Sequence, residues 1–159
     1  MNEQIIIPKN YEVEQCRLIQ NYKIPTYDKS KNNNGCVLPL VNTLIPETKN
    51  IKLVYLTYCN PGLVKGPHMH TPPKYDRFVS VNGKCVVITR NEQTKELSEF
   101  ILGEEGGYID LLLIPPYNSH AIVSKEGCCV LSICNEGYYP GHYNQIETEY
   151  EGYNWNKWL

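Results

Sequence analysis

The chain has 159 residues, 42% hydrophobic and 20% charged, with a formal net charge of -2. That size fits one domain over residues 1–159 with a sizeable core at about 36–135. The charge balance gives no basic footprint for nucleic acid, so an anionic ligand has to be met by a few local cations.

The start, MNEQIIIPKNYEVEQ, has three apolar residues in a row, where a secretory signal needs at least about seven. No run elsewhere is long enough for a membrane-spanning helix. A cytoplasmic protein with no membrane partner is therefore expected. Short β-rich runs follow in order: CRLIQ, CVLPLV, IKLVYLTY, RFVSV, KCVVITR, SEFIL, DLLLI, HAIV and CCVLSIC. Turn signals separate them, among them NNNG, NPG, VNGK, EEGG, PPYN and KEG, and no run has a sustained helical period. This density of short strands predicts an all-β sandwich or barrel. Asn82-Gly83 reads as a hairpin turn between RFVSV and KCVVITR. Residues 28–35, DKSKNNNG, read as a polar loop between an N-terminal arm and the main body. After Tyr138 the pattern gives way to an irregular tail rich in Tyr and Trp, able to cap the barrel or to pack on another subunit.

Seven cysteines occur, an odd number, with no Cys-x-x-Cys pair. They read as reduced, mostly buried thiols. Thirteen Tyr stand against two Phe, a balance suited to strands and polar pockets.

The chemistry concentrates in KGPHMHTPPKYDRFVSVNG, residues 65–83, which holds two of the four histidines. On a strand, His68 and His70 face the same way. Asp76 and His120 complete a set that suits two chemistries. With a divalent metal, three imidazoles and a carboxylate leave positions open for substrate. Without one, they give a base, an acid or oxygen stabiliser, and a carboxylate that orients a ring nitrogen. His68 or His70 is the candidate base. Lys65, Tyr55 and Tyr58 are candidate donors to a developing oxyanion. Tyr55 and Tyr58 are three apart, so both cannot face one pocket without a bulge. Arg77 alternates with Asp76 and is expected to face away, as a solvated or subunit-interface cation. His142 reads as an exposed loop residue.

The spacing His68-x-His70, Asp76, Gly83, followed by Pro115-x-Tyr117-x-x-His120, resembles the two motifs of the cupin superfamily. Asp76 stands where the motif has Glu, and Tyr117 where it has Gly. KGPHMHTPP, IKLVYLTYCNPG, LLLIPPYNSHAI and the aromatic tail look like the nucleotide-sugar branch, the dTDP-4-dehydrorhamnose 3,5-epimerases and dTDP-4-keto-6-deoxyhexose 3,4-ketoisomerases. The resemblance spans about residues 15 to 155. It implies a cupin-type jelly-roll barrel with an N-terminal strand arm, and a homodimer in which IIIP is a candidate exchanged arm. It further implies a nucleotide-sugar substrate, a place in polysaccharide biosynthesis, and no cofactor. Catalytic roles fall to His68, His70 and Asp76, and substrate binding to Lys65, Tyr55, Tyr58, His120 and Lys74. CCVLSIC lacks the tyrosine that epimerases use as an acid, which favours ketoisomerase-like chemistry. The alternatives are a metal-dependent cupin holding a divalent ion on His68, His70, Asp76 and His120, and a non-enzymatic sugar-binding cupin.

Overall fold

A computed structural model describes residues 6–19, 24–27, 29–37, 51–103, 110–137 and 144–159. The strands are β1 (Arg17–Ile19), β2 (Ile24–Tyr27), β3 (Asn33–Val37), β4 (Leu53–Cys59), β5 (Leu63–Met69) and β6 (Asp76–Asn82). They continue as β7 (Cys85–Asn91), β8 (Leu97–Leu102), β9 (Leu111–Ile114), β10 (Asn118–Ser124), β11 (Cys128–Cys134) and β12 (Ile146–Glu147), before a 3-10 turn at Trp155–Lys157. Two five-stranded antiparallel sheets, ordered β1-β9-β6-β11-β4 and β12-β5-β10-β7-β8, form a jelly roll, with β2-β3 as a separate ribbon. No helix among the described residues is long and apolar enough to cross a membrane.

Alternation along the strands builds the core. Cys85 and Val87 of β7 turn inward onto Phe78, Leu112, Ile114, Ile122 and Val130. Each aliphatic or aromatic side chain so buried contributes about 1.5–3 kcal/mol. Val86 and Ile88 turn outward, where Tyr150, Tyr153, Trp155 and Trp158 of the tail cover them. Tyr150 stacks on Trp155 with ring centroids 5.7 Å apart, and the Trp158 indole donates to the Tyr153 hydroxyl at 3.0 Å. The aromatic tail thus lies on its own sheet. The N-terminal arm does likewise. Ile7 and Tyr11 pack against Val13, Met69 and Tyr117, and Asn118 donates to the Glu14 carbonyl at 2.8 Å.

Several sequence readings change. Asn33–Gly35, read as part of a polar loop, begin β3 and pair with β2. The chain does turn at Gly83, with φ at +75°, but β6 and β7 do not pair as a hairpin. β6 pairs with β11 and β9, whereas β7 pairs with β10 and β8. The turn is a corner between sheets, packed so tightly that a Cβ on Gly83 would stand 2.5 Å from the Gly127 carbonyl oxygen. β5 was hidden because Gly66 and Pro67 interrupt its apolar pattern. Arg77 faces away from Asp76 as expected, yet it is buried, 1% exposed, rather than solvated. Residues 38–50, which hold most of CVLPLV, and His142 lie outside the described residues.

Candidate active site

Where β5 ends and β6 begins, the two sheets frame a cavity of about 480 Å³, within the range of small-molecule sites. It is lined by Leu53, Tyr55 and Thr57 of β4, Lys65 and His68 of β5, His70 and Lys74 of the following loop, Phe78, His120 and Gln145. Register explains the convergence. His68 lies opposite His120 on β10, and Asp76 is paired with Cys134, itself paired with Leu53. The motif's two halves, some fifty positions apart, therefore meet across neighbouring strands. The ring of His68 lies 5.1 Å from that of His70 and 4.6 Å from that of His120.

Asp76 is the hub. Its Oδ2 lies 3.0 Å from His70 Nε2 and 3.7 Å from His120 Nε2. Its Oδ1 accepts from the Cys134 thiol at 2.8 Å and lies 3.9 Å from Lys74 Nζ. Burial alone would raise this carboxyl. The hydrogen bond and charge of His70, with the nearby His120 and Lys74, outweigh it and hold Asp76 well below the usual carboxylate range.

The histidines are not equivalent. His70 is 5% exposed, and its Nδ1 lies against the Asn144 carbonyl oxygen while Nε2 faces Asp76. Both ring nitrogens are thus committed to oxygen acceptors. The Asn144 side chain fixes that loop by accepting from the Thr71 amide and hydroxyl, each at 2.9 Å. His68 is half-buried and faces the cavity. Burial first, then the charge of His70, pushes its pKa down to about 4, so the ring is neutral at physiological pH. Burial, then His68, likewise pushes His120 well down, and its Nδ1 is buried without a hydrogen-bond partner.

Tyr55 turns into the cavity and is 38% exposed. Burial, then the charges of Asp76 and Cys134, raises its phenol, while a hydrogen bond with Ser132 opposes the rise. Tyr58 belongs to the alternate set of β4 and is 67% exposed, yet it also lines the cavity. Lys65 is exposed at the wall, and Lys74 is half-buried beside Asp76. The sequence reading missed Cys134, Asn144 and Gln145. Alternation along CCVLSIC could have placed Cys134 on the inner face; nothing in the sequence flags the loop residues.

One nitrogen from each of His68, His70 and His120 lies within 4.8 Å of the others, a spacing a divalent ion could bridge. The surroundings suit such an ion: His70 Nδ1 lies against the Asn144 carbonyl oxygen, the outer contact a metal-bound imidazole keeps, and Asp76 stands beside His70 and His120 as a further oxygen ligand.

No family model and no curated protein matches the chain. Solved structures do. A dTDP sugar isomerase from Desulfovibrio desulfuricans is 18% identical, with 88% of this chain and 87% of that one covered at a TM-score of 0.66. The chain has a cupin-type jelly-roll fold. A dTDP-4-dehydrorhamnose 3,5-epimerase from Sulfolobus tokodaii shares this fold at 20% identity, with 91% and 85% covered and a TM-score of 0.67. The TDP-quinovose 3,4-ketoisomerase WlaRB from Campylobacter jejuni shares it at 18% identity, with 86% and 95% covered and a TM-score of 0.64.

Proposed function

We propose that this cupin-type protein is an isomerase or epimerase of a nucleotide-diphospho 4-keto-6-deoxy sugar, working by proton transfer beside the carbonyl. The observation that carries this reading is the pairing of a neutral, cavity-facing His68 with an Asp76-held His70 at 5.1 Å between rings. Proteins of the same fold that act on dTDP sugars support the substrate class. A C–H beside a ketone is acidic because the anion left behind is an enediolate. The reaction therefore needs a base, a stabiliser for the oxyanion, and an acid that returns the proton. His68 has a ring free to accept the proton. With a pKa of about 4 it is a weak base, so stabilisation of the enediolate has to supply much of the driving force. Lys65 and Lys74 line the same cavity as donors and cations, and suit a diphosphate as well, while His70 is held beside them by Asp76. Tyr55, on the opposite wall, is the candidate to return the proton. CCVLSIC offers only Ser132 at that row, directly beside Tyr55.

The test is incubation with a dTDP-4-keto-6-deoxyhexose in deuterated water, followed by NMR. Deuterium should enter beside the carbonyl, and the exchange should survive a chelator. Binding without exchange across a panel of nucleotide-diphospho keto sugars would instead establish a sugar-binding protein. Exchange abolished by chelation and restored by a divalent ion would establish the metal-dependent reading.

A further inference from the structure

Three cysteines that the proposed chemistry does not use meet at the opposite end of the barrel. Cys59 ends β4, Cys85 begins β7 and Cys128 begins β11, and all three belong to one buried cluster. Six residue steps along β11 lead from Cys128 to Cys134, roughly 20 Å of strand, so this group is remote from the histidines. Cysteine often fills a core as a small apolar side chain, and Cys85, 1% exposed, suits that role.

The other two stand in a more specific relation. Cys59 and Cys128 are direct partners in the antiparallel register of β4 and β11. Direct partners share a face, with Cα atoms about 4.5–5.5 Å apart, inside the separation of about 4.4–6.8 Å that a disulfide needs. Both side chains are buried in the same cluster, where the Cys59 thiol donates to the Leu63 and Ile122 carbonyl oxygens at 3.4 and 3.7 Å. We propose that Cys59 and Cys128 form an oxidisable dithiol, closed to a cross-strand disulfide by hydrogen peroxide.

The surroundings give the two sulfurs different roles. Hydrogen bonds from Cys85, then from Ser124 and Cys59, outweigh burial and pull the Cys128 thiol down, toward the thiolate. Burial, then the neighbouring Cys128, pushes the Cys59 thiol up. Cys128 follows the Gly127 turn and is 7% exposed, so a small oxidant is the one that fits. The Cys128 thiolate attacks one peroxide oxygen, the O–O bond breaks, and hydroxide leaves, giving a sulfenic acid. Cys59 then attacks that sulfur, the S–O bond breaks, and the two thiol protons end in two waters. Sulfur loses two electrons overall and peroxide gains them. The bond ties β4, the edge strand bearing Tyr55, to its neighbour.

The test treats the folded protein with peroxide, blocks remaining thiols by alkylation, and maps linked peptides by mass spectrometry. The expected result is one link, Cys59 to Cys128, with the chain lighter by two hydrogens and restored by dithiothreitol. The link should persist in Cys85→Ser and vanish in Cys59→Ser, where Cys128 should stop at sulfenic or more oxidised acids. A link from Cys128 to Cys85 or any other cysteine overturns the proposal. So does a folded wild-type protein whose Cys59 and Cys128 both remain alkylatable, or carry oxygen without linking.

Discussion

Replacing Asp76 by Asn tests the hub of the cavity. The carboxylate is 2% exposed, takes a hydrogen bond from Cys134, and lies 3.0 Å from His70 Nε2. The amide keeps one acceptor but turns a donor toward a site where thiol, imidazole and ammonium groups all offer protons. Breaking a buried ionic contact from one side costs about 3–5 kcal/mol. That leaves a domain of ordinary stability, about 5–15 kcal/mol, still folded in all but the weakest case. His70 loses the partner that fixes its ring, and the isotope exchange should fall by about 10²–10⁴-fold, the usual span for a lost acid–base contribution.

The wild-type acid limb provides the control. Asp76 is depressed in the folded state, so the stability it contributes is complete above the unfolded carboxyl value of about 3.9. It is lost as pH falls below that value toward the lower folded one. Urea titrations followed by tryptophan fluorescence from pH 7 downward should show this limb in wild type and a flatter one in Asp76→Asn. A variant with wild-type exchange and an unchanged acid limb would refute the role given to the Asp76–His70 contact.

Other outcomes follow from neighbouring contacts. His68→Asn should abolish exchange with little loss of stability. In wild type the acid limb of the exchange rate should lie nearer pH 4 than pH 6.5, because a base depressed to about 4 becomes mostly protonated only below that pH; a limb near pH 6.5 would assign the base elsewhere. Cys134→Ala removes a weak donor to Asp76 at 2.8 Å and should shift the acid midpoint of unfolding upward, costing about 1 kcal/mol at neutral pH, with Cys134→Ser restoring both. Gly66 has φ at +98°, and a Cβ there would stand 2.8 Å from the His120 carbonyl oxygen. Gly66→Ala should therefore cost at least about 1–3 kcal/mol from backbone strain alone, measured by the same unfolding assay, and stability equal to wild type would show that β5 can move away from β10.

The histidine spacing made His68, His70, Asp76 and His120 legible as one group, because strand alternation and the two-part motif are both local signals. What local signals cannot carry is which strands neighbour each other. Asn82-Gly83 has the chemistry of a hairpin, yet the turn packs against Gly127 and Gly103 and β7 joins the other sheet. Tyr117 shows the converse. The motif position that resembles glycine holds a tyrosine, yet its φ is +60°. Burial of its ring against Met69, Val13 and Tyr11, with its amide donating to the His70 carbonyl at 2.8 Å, holds the conformation. The backbone requirement survives although the residue that usually signals it does not. Asn144 and Gln145 belong to a loop far along the chain, and their place at the cavity depends on the closed barrel.

The cavity draws its walls from β4, β5, β6 and β10, from the loop after β5 and from the segment at Gln145, so its lining joins residues as far apart in sequence as Leu53 and Gln145. No hairpin or contiguous half of the chain contains a working subset. Loop closure over such spans precedes any reward from the contacts it brings. Recovery of activity during refolding should thus lag the gain of strand structure, and chain fragments that retain strands should be inert when separate.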